Sequence, residues 1–232
     1  MSKYIVTSGC SFSVPGTNSW EPETKNESYI PVGLWPYYLE VKLPNFIYKN
    51  YGLTGMGNLY ISRSILMGCN QLLDNGIDSE DITVIVMWSG LNRIETISET
   101  KREQARAKHI YDDNQELIPT GILDYDKMYW VETFMSSLEH ILMTQEFLKL
   151  RNINYLFMTY MNQFSCGDNS FDWKLGKDGN SIPPITIDKP TLFSEYKWFG
   201  WMENLFDWSK WWFYENDLIK YGGMIEWVAV NY

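Results

Sequence analysis

Residues 82–88 read Ile82-Thr83-Val84-Ile85-Val86-Met87-Trp88, an almost unbroken apolar run rich in β-branched side chains. A strand of this composition has no polar face to offer water, so it belongs in the middle of a parallel sheet covered on both sides. Working outward, apolar runs of strand length also occur at Tyr4 to Thr7, Phe46 to Tyr51 and Tyr155 to Thr159. Helical spacing fills the intervals. Ile61, Ile65, Cys69 and Leu72 form one stripe, with Asn58 near its start and Gly76 just beyond its end as caps. Val131, Phe134, Leu138, Ile141, Gln145 and Leu148 mark a longer helix over about 129–150, and a short helix is predicted near 35–41. Alternating β and α units require crossover connections and hence a parallel sheet. The predicted fold is therefore α/β, a three-layer α/β/α flavodoxin-like sheet, with ligands outside the carboxyl ends of its strands.

The 232 residues are read as one domain, 1–232. Two segments lack periodicity: a polar insertion at about 94–127, predicted to hold a hairpin through His109 to Ile118 around Asp112-Asp113-Asn114, and a long loop at about 165–195. Residues 13–32 form another long loop, and a near-helical pattern from about Leu218 to Val230 is interrupted by Gly222-Gly223.

Twenty-nine acidic against nineteen basic residues give a net charge of −10, which opposes a phosphate backbone or an anionic membrane. Neither nucleic acid nor membrane is an expected partner. Cys10, Cys69 and Cys166 are odd in number and lack metal-ligand spacing, so no disulfide framework or zinc site is read. With no signal-peptide run after Met1 and no membrane-spanning stretch, the chain is expected to be cytoplasmic when made. The aromatic share of 16% is the outlier. Its late cluster, Tyr196 to Trp212, can pack under long loops, form a carbohydrate platform or contact another subunit.

The first strand runs into Gly9-Cys10-Ser11-Phe12-Ser13. A serine on a sharp turn there can be presented with backbone N–H groups aimed at an oxyanion, or can simply cap the next segment. Asn50-Tyr51-Gly52-Leu53-Thr54-Gly55 follows the second strand and Gly90-Leu91-Asn92 the third. In order and placement these turns resemble the first three sequence blocks of the SGNH, or GDSL-like, hydrolase superfamily, over roughly the first hundred residues. The resemblance implies that Ser11 is the nucleophile. It also implies an oxyanion hole made by the Ser11 N–H, the Gly55 N–H and the Asn92 side chain, with Gly52 as the alternative glycine. Cys10 and Arg93 stand where many members carry Asp, which marks a divergent branch. Relatives with this first block occur often in bacteriophage genomes, so the resemblance implies a viral or bacterial origin, including a place on a virion.

The resemblance also implies a general base from a late Asp-X-X-His block, yet no histidine follows His140. Three accounts stand open. The chain can stop just short of that block, since Glu226-Trp227-Val228 runs on to Tyr232 without a stop signal; His109 can fold back over the site or come from a neighbouring subunit; or catalysis has been lost. His140, mid-helix, is the poorer candidate. Cys10 is read as a buried thiol before a nucleophile. Asp112, Asp113, Asp124 and Asp126 read as solvated loop residues, so neither metal nor cofactor is assigned. Arg93 and Glu95 can orient Asn92, meet a substrate carboxylate or pair locally. Two functions follow: a serine esterase on a small-molecule or glycan ester, such as an acetylated carbohydrate or lipid, or an inactive glycan-binding or structural module, with homo-oligomer or virion partners.

Overall fold

A computed structural model describes residues 2–10, 13, 35–53, 55–91, 93–97, 105–109, 125–160, 163–164, 200–215, 223–224 and 227. The elements are β1 (Lys3–Gly9), α1 (Trp35–Lys42), β2 (Phe46–Asn50), α2 (Asn58–Asp74), β3 (Ile82–Trp88), β4 (Arg93–Ile97), β5 (Ala105–His109), α3 (Tyr125–Leu150), β6 (Asn154–Thr159), α4 (Gly200–Glu203) and β7 (Trp211–Trp212). Five of the strands form an all-parallel sheet in the order β2-β1-β3-β6-β7, so the fold is α/β. The 82–88 run is its middle strand, with Ile82, Val84, Val86, Met87 and Trp88 fully buried. By contacts the chain divides into two compact units, Met1–Leu156 and Phe157–Tyr232.

In the first unit, β1 pairs with β2 from Lys3↔Phe46 to Thr7↔Asn50 and with β3 from Tyr4↔Ile82 to Gly9↔Met87. The three strands therefore end close together. α2 packs on β1, β3 and α3. The predicted stripe faces inward, since Ile61, Ile65 and Cys69 are fully buried and Leu72 nearly so. Buried hydroxyls tie these layers: Ser8 Oγ lies 2.7 Å from Ser64 Oγ, and Thr144 Oγ1 donates to Ser62 Oγ at 2.8 Å. Gly76, at φ +79°, ends α2 as expected, with Gly76 N donating to Leu73 O and Ile77 N to Leu72 O. Asn152, at φ 53°, closes α3 in the same way through Asn152 N to Lys149 O and Ile153 N to Leu148 O.

One local expectation is corrected. The start of α2 is capped by Gly57, and Asn58 makes no cap hydrogen bond; its amide is committed elsewhere, as shown below. A hairpin that the sequence did not announce lies upstream: β4 and β5 pair antiparallel from Arg93↔His109 to Ile97↔Ala105, and the one expected through His109 to Ile118 falls, after His109, outside the described residues. The polar Ala105-Arg-Ala-Lys-His109 sequence has little apolar alternation to betray a strand, and cross-strand pairing with Arg93–Ile97 supplies what its own pattern lacks. Asp112, Asp113, Asn114 and Asp124 lie outside the described residues.

The second unit contains the β6 to β7 pairing, Phe157↔Trp211 and Met158↔Trp212. Around it Phe157, Phe164, Phe206 and Trp211 are buried. Trp211 meets Phe157 edge-on at 5.4 Å and Phe164 at 5.3 Å, and stacks on Phe213 at 5.6 Å. The packing reading therefore describes Phe206 and Trp211, whereas Trp201 is 57% exposed. Of the late near-helical pattern, one helical hydrogen bond is described, from Trp227 N to Gly223 O. Among the described residues, no helix is long and apolar enough to cross a membrane.

Candidate active site

The first turn leaves β1 at Gly9. Cys10 follows, fully buried, and its carbonyl accepts from Ser13 N at 2.8 Å. Ser13 is itself fully buried, and its Oγ accepts from Trp35 Nε1 at 2.9 Å, pinning the far side of the turn to the start of α1. Space around Ser13 exists because two neighbours lack a Cβ. One added to Gly9 would overlap the Ser13 side chain and come 2.8 Å from Met87 O; one added to Gly52 would overlap the Ser13 carbonyl. Ser11 and Phe12, the two residues between Cys10 and Ser13, lie outside the described residues.

The second turn is laid against the first. Tyr51 N donates to Thr7 O at 2.8 Å and Leu53 N to Gly9 O at 3.1 Å, so the chain leaving β2 runs beside the end of β1. The two candidate glycines separate here. Gly52 N is already donated to Asn50 Oδ1 at 2.8 Å, in a local turn of the kind asparagine side chains make. Gly55 sits at φ +79° in open space, and no acceptor among the described residues takes its N–H. Of the two glycines, Gly55 is therefore the one whose N–H is not taken among the described residues. Thr54 lies outside the described residues.

The third turn is fastened by Asn58. Its Oδ1 accepts from Ser89 N at 2.9 Å, and its Nδ2 donates to Ser89 O at 3.3 Å and Gly90 O at 3.4 Å. A buried amide that satisfies backbone just past β3, thirty-one residues away, leaves nothing for its own helix, which explains the missing cap. Beyond it, Leu91 O accepts from Ser137 Oγ at 2.9 Å, and Arg93 N donates to Gly90 O at 3.1 Å. Arg93 then reaches back to the second turn, Nη1 to Met56 O at 3.1 Å. Asn92 lies outside the described residues, but both of its chain neighbours are held. Ser89 Oγ and Arg93 Nε are buried donors without a described acceptor, both within three residues of Asn92.

Sequence reading therefore missed the residues that assemble the turns: Ser13, Asn58, Ser137 and the Arg93 link to Met56. Asn58 alone carried a signal, a polar residue on the stripe side of a helix start. Arg93 forms no ion pair among the described residues; its guanidinium donates to the Met56 carbonyl.

Two further titratable groups lie on the helices. His140 sits half-buried on α3 with its Nε2 3.4 Å from Ser136 Oγ. Burial lowers its pKa, the neighbouring Arg63 adds to that and Glu139 opposes it. Burial pushes the Cys69 thiol up to about 12, which keeps it protonated and unreactive. Among the described residues, no group of three or more His, Cys, Asp or Glu is placed to hold a metal. Comparison with family models, with curated proteins and with solved structures produced no match.

Proposed function

We propose that the chain is an SGNH-like serine esterase in which Ser11 attacks an ester carbonyl and the Ser11 N–H, Gly55 N–H and Asn92 side chain receive the developing oxyanion. The observation that carries this reading is the convergence of three turns at the carboxyl ends of three adjacent strands, bonded to one another: Leu53 N to Gly9 O, Arg93 Nη1 to Met56 O and Asn58 to Ser89 and Gly90. Counting only the strands of the main sheet, the order β2-β1-β3-β6-β7 is 2-1-3-4-5, the flavodoxin-like order. In that order the crevice for ligands opens between the first and third strands, where the chain turns both ways, and the Gly9-Cys10-Ser11 turn leaves from there.

The chemistry matches that frame. Acyl transfer places negative charge on the carbonyl oxygen, and donors fixed before the reaction lower its barrier without reorganising. The Gly55 N–H, which meets no acceptor among the described residues, and the buried donors Ser89 Oγ and Arg93 Nε leave hydrogen-bonding capacity at the second and third turns. Substrates on this reading are esters of small molecules, glycans or lipids. Hydrolysis of a chromogenic acetyl ester by the full chain, beside Ser11→Ala, tests it. Turnover by the parent that falls at least about 10³-fold in Ser11→Ala is expected. No turnover, and no modification of Ser11 by a serine-directed phosphonate in a folded chain, would reject the esterase.

A further inference from the structure

A strand at the edge of a sheet offers its outer backbone groups to any extended segment that can lie beside it. β2 is such a strand, paired on one side with β1. Its register fixes which groups are spent. Thr7 stands opposite Asn50, and Thr7 O accepts from Tyr51 N at 2.8 Å, so the N–H and C=O groups of Ile47, Lys49 and Tyr51 turn towards β1 and those of Phe46, Tyr48 and Asn50 turn outward. Phe46 N donates to Leu43 O at 3.2 Å, whereas the outward N–H groups of Tyr48 and Asn50 meet no acceptor among the described residues.

One face of this edge is also open. α2 packs on β1, β3 and α3, which leaves a cleft of about 260 Å³ beside β2, with Ile47 and Lys49 on one wall and Gly68, Gln71 and Leu72 of α2 on the other. Ile47 is 40% exposed. Lys49 is the charged residue of the lining; no carboxylate shares it, and Lys49 forms no ion pair among the described residues. Lys3, in register with Phe46, and Lys42, four residues before Phe46, add positive charge near the same strand. Glu40 lies near Tyr48, whose hydroxyl donates to Leu39 O on the α1 side, away from the cleft. A second copy of a chain with net charge −10 is repelled as a whole. A short segment that carries a carboxylate to Lys49 is not.

We infer that the β2 edge and its cleft are a docking site for an extended acidic peptide segment of a partner protein, which adds to the sheet as a further strand. Residues directly opposite one another on paired strands share a face, with Cβ atoms about 4.5–5.5 Å apart. A carboxylate of the segment therefore meets Lys49, and an apolar side chain two positions away meets Ile47. The Tyr48 and Asn50 backbone groups supply the ladder bonds. This assignment stands apart from the esterase reading.

The test pans a random heptapeptide display library on the full chain, with counter-selection on Lys49→Glu, and measures the selected peptides by fluorescence anisotropy against the parent, Lys49→Glu, Ile47→Asp and Glu139→Gln, with thermal melting of each. The expected peptides carry an acid and an apolar residue two positions apart, bind at least about fivefold more weakly to Lys49→Glu, lose affinity with added salt, and bind Glu139→Gln like the parent. N-methylation of alternate peptide amides should abolish binding in one phase and leave it in the other, because only every second N–H faces β2. Failure to enrich any peptide over the folded Lys49→Glu chain would overturn the inference. So would binders indifferent to Lys49→Glu, which sit elsewhere, or binders that N-methylation weakens equally in both phases or in neither, which fill a pocket without adding a strand. Self-association of the parent in sedimentation velocity, abolished by Lys49→Glu, would hand the edge to a second copy and overturn it as well.

Discussion

The turns at the ends of β1, β2 and β3 and the aromatic cluster around Trp211 are held by opposite means. At the turns, space is made by what is missing. Gly9 and Gly52 carry no Cβ where Ser13 sits, and Gly68 leaves room for the Tyr51 ring, whose nearest carbon would be 2.5 Å from an added Cβ. Specific hydrogen bonds from Asn58, Ser137 and Arg93 then fix each loop. In the Phe157–Tyr232 unit, large rings fill space and meet mostly edge to face, as between Phe157 and Trp211 or Phe164 and Trp208. Ring packing is tolerant of small shifts and draws its stability from area removed from water. A site that must place donors within a fraction of an ångström is better served by the first method.

Substitutions can break or sharpen that contrast. The largest effect belongs to the aromatic side: Trp211→Ala should cost about 4 kcal/mol in urea unfolding followed by far-UV circular dichroism. Trp211→Phe should cost much less, because the Trp211 Nε1 is buried without a partner among the described residues and its removal loses no hydrogen bond to them. An equal cost for both would show that ring area is not what matters there. Next is Gly52→Ala, expected to destabilise by about 2–3 kcal/mol through overlap with the Ser13 carbonyl. A neutral result would mean that the turns have room to move and are not held by missing side chains. The smallest of the three is Asn58→Ala, about 2 kcal/mol from a buried Ser89 N–H left without an acceptor. On the esterase reading proposed above, ester turnover should fall by more than this loss of stability accounts for, since the third turn loses its fastening. Asn58→Asp should keep the bond from Ser89 N while losing those to Ser89 O and Gly90 O, and so fall between.

Composition drew attention to the aromatic region. The aromatic share of 16% invited a platform reading, whereas Phe206 and Trp211 are core and belong to the argument about stability. The short turns, unremarkable in composition, carry the bonded frame. Histidine count was equally indirect: the absence of a late histidine was legible at once, but the place of His109 was not. Its strand is polar, and only the ladder Arg93↔His109 to Ile97↔Ala105 brings it to the third turn.

From sequence alone came the β3 run, the α2 stripe with its Gly76 terminus, the alternation that requires a parallel sheet, and the three glycine-bearing turns in order. Those features are local, because burial imposes a period of two or about three and a half on residues near one another in the chain. Tertiary structure alone decided that Gly52 is spent on Asn50 and Gly55 is not, that Asn58 fastens the third turn instead of capping its helix, that Arg93 reaches Met56, and that His109 stands opposite Arg93. Two of these choices join residues 31 and 37 positions apart, and a third pairs Arg93 with His109 across a ribbon. The remaining one, between two glycines three residues apart, turned on which N–H a neighbouring side chain had already claimed, and no periodicity records a hydrogen-bond partner.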